Sequence, residues 1–121
     1  MVKPSSNPYY GQGFIIHDWM IRCFGLQGDY LIIYAYIHSF SKDTRSKYYG
    51  SLRQLSFWCG KTKPVILKKL QYLVDNGLIE KEEIPYTGAN KERHYCRYWT
   101  TFSRLPDKEK QRILSTTGIE N

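Results

Sequence analysis

The sequence predicts an α+β domain that is mainly α-helical, with a three-helix core and a β-hairpin after the third helix. Three observations carry this prediction: two capped amphipathic segments separated by a short turn, a preceding segment that is apolar on nearly all sides, and two strand-like segments that follow. At 121 residues the chain is expected to form one domain with a core that needs neither disulfides nor metal.

The first of the paired segments starts at Ser51. Ser51 followed by Gln54 is a capping-box pattern typical of a helix start. Gly60 suits the left-handed conformation that ends such a helix. The apolar residues between them recur at helical spacing, namely Leu52, Leu55 and Cys59.

The second segment predicts a helix that begins after Thr62 and ends before Gly77. Thr62 can cap this helix, and Pro64 lies in the first turn, where its missing N–H costs nothing. Its buried stripe is predicted to be Ile66, Leu70 and Leu73. Two capped helices with so short a turn between them form a helix-turn-helix.

A helix from Tyr30 to about Ser41 is predicted to be the central buried one, with Asp29 as its cap. Its apolar residues leave little solvent-facing surface: Leu31, Ile32, Ala35, Tyr36 and Ile37.

The flanking segments give weaker signals. Residues 1–13 hold two prolines and two glycines among polar residues and predict a flexible N-terminal arm. Residues 14–16 predict a short strand or an extended lead-in, and residues 17–24 a short helix ended by a glycine. Residues 103–121 predict a C-terminal tail with one short helix after Pro106 and a frayed end.

A β-hairpin is predicted after the helix-turn-helix. Residues 78–84 and 93–102 have strand character, and residues 85–90 (PYTGAN) favour a turn between them. Tyr48–Tyr49 predicts a very short strand before the first helix of the pair. Helix, short strand, helix, turn, helix and hairpin is the order of a winged helix.

The segment 55–79 resembles the helix-turn-helix of bacterial winged-helix proteins. The residues that match the family pattern are Leu55, Ser56, Gly60, Thr62, Ile66, Leu70, Leu73 and Asn76-Gly77-Leu78-Ile79. The wider frame is similar to the N-terminal domains of phage replisome organisers and plasmid replication initiators, and to small regulators on mobile elements. The resemblance implies a winged helix-turn-helix domain over residues 14–102 that binds double-stranded DNA in replication initiation or transcription regulation. Lys61 departs from the pattern, which usually has an apolar residue in the turn, so its charge is expected to point outward.

The positive charge is concentrated around the helix-turn-helix. Residues 42–72 contain eight Lys and Arg residues and one Asp, so this window alone carries the net charge of +7. A basic surface over a helix-turn-helix is typical of proteins that bind the phosphate backbone. A merely solvated face is the alternative.

The N-terminal residues of a recognition helix enter the major groove most deeply. Thr62 and Lys63 are therefore expected nearest to base edges and Lys68 nearest to phosphate, although Thr62 alternatively only caps its helix. Tyr72 either contacts DNA or packs against the wing, and Lys69 is expected to extend along the buried stripe. The full set of candidate DNA-binding residues is Lys61, Thr62, Lys63, Lys68, Tyr72, Arg53, Arg45, Lys47, Lys91 and Arg93.

Phe57 and Trp58 are expected on the flank of the first paired helix, away from its apolar stripe. The N-terminal segment around Trp19 is predicted to cover them. Alternatively they form a partner surface, either for a second copy of the chain or for a replication or transcription partner.

Other classes of function lack support in the sequence. Three widely spaced cysteines predict reduced thiols, and no apolar run approaches the roughly 20 residues of a membrane helix, so a cytoplasmic location is expected. His94 and Cys96 supply only two of the four ligands that zinc needs, and Gly60-Lys61-Thr62 lacks the upstream glycine of a phosphate-binding loop. No cofactor, no metal and no enzymatic activity are predicted.

Overall fold

The computed structural model describes residues 13–41, 52–85 and 94–119. Within these ranges the chain forms five α-helices, one 3₁₀-helix and a two-stranded antiparallel sheet. The fold is therefore α+β and mainly α, as predicted. In chain order the elements are α1 (Asp18–Arg22), α2 (Gly28–Ser39), α3 (Leu52–Cys59), α4 (Lys63–Asp75), β1 (Ile79–Pro85), β2 (His94–Thr100), a 3₁₀-helix (Phe102–Arg104) and α5 (Asp107–Ile119).

Helix α2 lies at the centre of the fold and contacts α1, α3, α4 and β2. Its five consecutive residues 33–37 are all buried, which confirms the expectation that this helix is enclosed on nearly all sides. The other buried residues of the core come from every neighbouring element: Trp19, Met20, Leu26, Leu55, Ile66, Leu70, Leu73, Ile79, Tyr98 and Phe102.

The prediction that Asp29 caps α2 is wrong. The helix begins at Gly28, two residues before the predicted start at Tyr30, and the capping position is occupied by Gln27. The carbonyl of Gln27 accepts the first helical hydrogen bond, from the N–H of Leu31 at 3.4 Å, and Gly28 has a φ of +60°, a left-handed conformation that glycine adopts without steric cost. Asp29 instead lies in the first turn of α2, where the positive end of the helix dipole stabilises a carboxylate.

Helices α3 and α4 form the predicted pair, separated by Gly60, Lys61 and Thr62. Leu55 is buried on α3, and the stripe of α4 consists of Ile66, Leu70 and Leu73, as predicted. Gly60 ends α3 with a φ of +67°.

The end of α4 is a Schellman motif around Gly77, whose φ is +74°. The N–H of Leu78 donates to the carbonyl of Leu73 at 3.0 Å, and the N–H of Gly77 donates to the carbonyl of Val74 at 3.0 Å. This motif reverses the chain direction, so the hairpin starts immediately after α4.

Strands β1 and β2 pair from Ile79 opposite Thr100 to Pro85 opposite His94. Pro85 was expected in the turn, but it ends β1 instead, a position at the strand end that a residue without an N–H tolerates. The rest of the predicted turn lies in residues 86–93, outside the described residues. Strand β2 ends two residues earlier than predicted, because the chain turns into the 3₁₀-helix.

A buried polar cluster joins the end of α2 to the end of β2. His38 Nδ1 lies 2.8 Å from the Thr100 hydroxyl, and the backbone N–H of Thr100 donates to the Ser41 hydroxyl at 3.3 Å. Trp19 and Tyr34 pack around the His38 ring, with centroids 5.3 and 6.1 Å away. Burial, followed by the charges of His17 and Lys110, lowers the pKa of His38 to about 4.

The flanking segments also pack on the core. Residues 13–17 form no strand, and the backbone of His17 is extended where it enters α1. The helix expected after Pro106 is present as α5, and its 13 residues make it longer than the short helix predicted. It contacts α1, and the Cys23 thiol donates to the carbonyl of Ile113 at 3.7 Å. Most of the predicted arm, the Tyr48–Tyr49 strand and the Ser51 cap lie outside the described residues.

Candidate nucleic-acid interface

The exposed face of α4 is the centre of the candidate interface. Opposite the buried stripe, helical spacing places Pro64, Lys68, Gln71 and Asp75, and all four are exposed. Gln71 Nε2 donates to Asp75 Oδ1 at 2.8 Å, so the C-terminal end of this face carries a carboxylate. The basic character of the face is therefore concentrated in its N-terminal half.

Three basic side chains on α3 and α4 are available to a ligand. Arg53, Lys63 and Lys68 are all exposed. Within the described part of the chain, no carboxylate lies within ion-pair distance of any of them. We call these three residues the open basic face.

Thr62 occupies the capping position of α4 without capping it through its side chain. Its backbone is extended, with φ −72° and ψ 160°, and its carbonyl accepts the first helical hydrogen bond from the N–H of Ile66 at 3.0 Å. The hydroxyl makes no capping hydrogen bond, although a threonine at this position often does. The positive end of the α4 dipole and an exposed hydroxyl thus lie next to Lys63.

Lys61 is exposed, as expected from the sequence, but its charge is paired. Its Nζ lies 3.1 Å from Asp29 Oδ2, because Asp29 in the first turn of α2 faces the turn between α3 and α4. Lys69 Nζ lies 3.9 Å from the same oxygen and 4.5 Å from the centroid of the Tyr30 ring. Lys69 therefore extends along the packed side of α4, as predicted, and two of the basic residues share one carboxylate.

The charges around Asp29 also surround the half-buried Cys59. Burial raises the pKa of the Cys59 thiol, the Asp29 carboxylate adds to this rise, and Lys61 and Lys69 oppose it. This thiol is thereby kept in its protonated form, which is poorly nucleophilic.

Tyr72 is half exposed at the edge of the same face. Its ring lies against Tyr30 of α2, with centroids 4.9 Å apart and an interplanar angle of 53°. Packing against the wing was one of the two expectations for Tyr72, and the described ring contact is with α2 instead. One edge of Tyr72 remains accessible beside the open basic face.

The remaining candidate DNA contacts, Arg45, Lys47, Lys91 and Arg93, lie outside the described residues. In the described part of the hairpin, Arg97 pairs with Glu82 at 3.2 Å and Lys81 pairs with Glu83 at 3.5 Å. The body of the hairpin therefore carries paired charges rather than a basic surface.

Phe57 and Trp58 differ in exposure, although their rings are in contact. Trp58 is half buried, with its ring centroid 5.1 Å from Phe14 and 5.6 Å from Tyr36. Phe57 contacts Trp58 at 5.4 Å and is 49% exposed. The prediction that the N-terminal segment around Trp19 covers the pair holds in part: Phe14 packs against Trp58, Phe57 stays half exposed, and Trp19 itself stacks on Phe102 at 4.1 Å.

Sequence reasoning missed two features of this region. Val65 and Leu67 are exposed on α4, and helical spacing does place both outside the buried stripe. The ion pair between Asp29 and Lys61 had no local signal, because its partners are separated by 32 positions and belong to different elements.

The chain matched no family model, no curated protein and no solved structure in comparisons with known proteins. Among the described helices, none combines the length and the apolarity that crossing a bilayer requires. Across residues 13–41, 52–85 and 94–119, no three His, Cys, Asp or Glu side chains are grouped so as to hold a metal ion.

Proposed function

We propose that this chain is a winged helix-turn-helix domain that binds double-stranded DNA, in replication initiation or transcription regulation of a phage, plasmid or other mobile element. In this proposal α4 is the recognition helix and the β-hairpin is the wing. The role in replication or transcription comes from the sequence resemblance of the wider frame, residues 14–102, to phage replisome organisers, plasmid replication initiators and small regulators on mobile elements.

The observation that carries the proposal is the open basic face of α3 and α4. Arg53, Lys63 and Lys68 are exposed without carboxylate partners in the described chain, and they belong to two helices joined by a three-residue turn. The order of the described elements, with three packed helices followed directly by a hairpin, is the order that a winged helix requires.

In the proposed mechanism α4 enters the major groove by its N-terminal end. Lys68 and Arg53 neutralise phosphates and set the orientation of the domain, while Lys63 and the uncommitted Thr62 hydroxyl reach towards base edges. Each neutralised phosphate releases condensed counterions, so affinity falls steeply with salt.

A salt titration of duplex binding tests this proposal. We expect the double variant Arg53→Ala, Lys68→Ala, which removes the two proposed phosphate contacts, to bind duplexes of any sequence more weakly, with a plot of log affinity against log salt about two units shallower. The measurement is fluorescence anisotropy with labelled duplexes over a series of salt concentrations.

Lys108→Ala is the control for a basic residue outside the proposed interface, since Lys108 is an exposed lysine near the start of α5. It removes one positive charge from a different helix and is expected to leave the salt dependence unchanged. Absence of binding to any duplex at low salt would reject the proposed function. Equal effects of the double variant and the control would show that the wrong face has been assigned.

A protein-interaction module is the second candidate, and exposed apolar groups around one aromatic cluster favour it. The ring of Tyr36 lies 5.8 Å from Phe14 and 5.2 Å from Phe40. The residues of this region that are exposed are Ile15, Ile16, Phe40 and Phe57. Exposed apolar patches of this kind commonly mark partner surfaces.

Substitution of Phe57 tests the second candidate. Phe57→Ala leaves the half-buried Trp58 in place, and we expect it to weaken self-association or partner binding while unfolding at the same temperature as the wild type. Light scattering after size-exclusion chromatography measures the assembly state. Trp58→Ala is a poor test because it removes part of the core, and an unchanged assembly state in Phe57→Ala argues against the module.

A further inference from the structure

Asp29 is placed to neutralise part of the candidate interface. Its side chain is 15% exposed, and its Oδ2 contacts Lys61 at 3.1 Å and Lys69 at 3.9 Å. Among the described basic residues from Arg53 to Lys69, these two lysines are paired and the three residues of the open basic face are not. One carboxylate thus divides the basic residues of α3, α4 and their turn into two groups.

Lys61 lies close to the part of α4 that the proposed function places on DNA. It immediately precedes Thr62 and is separated from Lys63 by that one residue. Its side chain is about half exposed, so a phosphate group can approach the ammonium group that Asp29 now contacts. A carboxylate and a phosphate offer the same chemistry to an ammonium group, since both are oxyanions that accept charge-assisted hydrogen bonds.

Lys69 is held differently. Its ammonium group lies over the Tyr30 ring, its distance to Asp29 is the longer of the two, and its side chain is only 25% exposed. A cation held over an aromatic ring keeps that contact when the carboxylate is removed. Loss of the Asp29 charge therefore frees one lysine for DNA rather than two.

We propose that Asp29 is an intramolecular competitor of DNA phosphate for Lys61 and thereby limits the affinity and the salt sensitivity of the interface. This inference rests on the proposed function, because it assigns a regulator to the same DNA-binding face. In the wild type Asp29 neutralises Lys61 and retains it in the complex, so the ammonium group of Lys61 makes no phosphate contact there.

Asp29→Asn tests the inference by removing the charge while keeping the size of the side chain. We expect tighter duplex binding and a salt plot about 0.9 units steeper, which is the contribution of one additional phosphate contact. The advantage of the variant over the wild type then grows about threefold when salt falls from 200 to 50 mM. Adding Lys61→Ala to this variant is expected to return the slope to that of the wild type.

Asp18→Asn is the matched control. Asp18 pairs with Arg22 at 2.7 Å on α1, so the substitution makes the same change in net charge and also breaks an ion pair with a basic residue. It is expected to leave the slope unchanged. Circular dichroism verifies the fold of each variant. If Asp29→Asn unfolds, Asp29→Ser provides a second neutral side chain, and serine is favoured at helix starts.

The outcomes separate this inference from the proposed function. If the wild type binds duplex and the Asp29 variants have the same slope of log affinity against log salt, the proposed role of Asp29 is overturned and the proposed DNA binding stands. An equal steepening in Asp18→Asn shows a general effect of net charge and also overturns it. Absence of duplex binding by the wild type and all variants rejects both.

Discussion

Helices α2 and α4 have nearly equal lengths, 12 and 13 residues, but they use their surfaces in opposite ways. Residues 33–37 of α2 are consecutive and buried, so every side of that helix faces protein. Helix α4 fully buries only a stripe of three residues and exposes most of its other side chains. The difference teaches that α2 holds the fold together while α4 presents side chains, so substitutions on the two helices should affect different properties.

The largest expected contrast comes from shortening one aliphatic side chain on each helix. Ile37→Ala on α2 creates a cavity in the core and should lower the free energy of unfolding by about 2–5 kcal/mol. Leu67→Ala on α4 removes a side chain that is 47% exposed and should change it by less than about 0.5 kcal/mol. Urea unfolding followed by circular dichroism measures both values.

The comparison would break if Leu67→Ala were as costly as Ile37→Ala. Such a result would mean that the exposed face of α4 is covered in solution, either by a second copy of the chain or by residues outside the described ranges. A concentration-dependent unfolding midpoint would identify the second copy, since only association links stability to protein concentration.

Much of this fold is local, and the sequence therefore predicts it. The stripe Ile66, Leu70 and Leu73 follows directly from helical period, and the glycines at positions 60 and 77 mark the helix ends because a left-handed backbone is required there. The candidate DNA-binding residues on α4 were found by the same reasoning, since the exposed face is the side of the helix opposite the buried stripe.

The features that the sequence did not predict all depend on contacts between distant segments. Asp29 looked like a helix cap, but Gly28 starts the helix before it and the carboxylate meets Lys61 across the fold. Phe14 covers Trp58 and Trp19 does not, because the two aromatic residues of the N-terminal region pack on different sides of α2. Propensity and periodicity contain no information about which of two aromatic residues fills a distant gap.

A smaller contrast between the helices concerns pH, because α2 contains a histidine and α4 does not. The pKa of His38 falls from 6.5 in the unfolded chain to about 4 in the fold, chiefly because of burial. The unfolded chain therefore binds more protons between these two values, so the stability from neutral His38 is complete above pH 6.5 and is lost as pH falls towards 4. The loss amounts to about 2–3 kcal/mol.

His38→Gln should remove this pH dependence, since glutamine retains an amide able to bond the Thr100 hydroxyl but does not titrate. The measurement is the free energy of unfolding at pH 7 and pH 4.5 for the wild type and the variant. His17→Gln serves as the control: its ring lies 6.0 Å from His38, and its charge is a lesser cause of the shift than burial, so most of the pH dependence should survive. The prediction is wrong if His38→Gln and the wild type lose the same free energy of unfolding between pH 7 and pH 4.5. In that case the contact between His38 and Thr100 joins α2 to β2 without making the fold sensitive to pH.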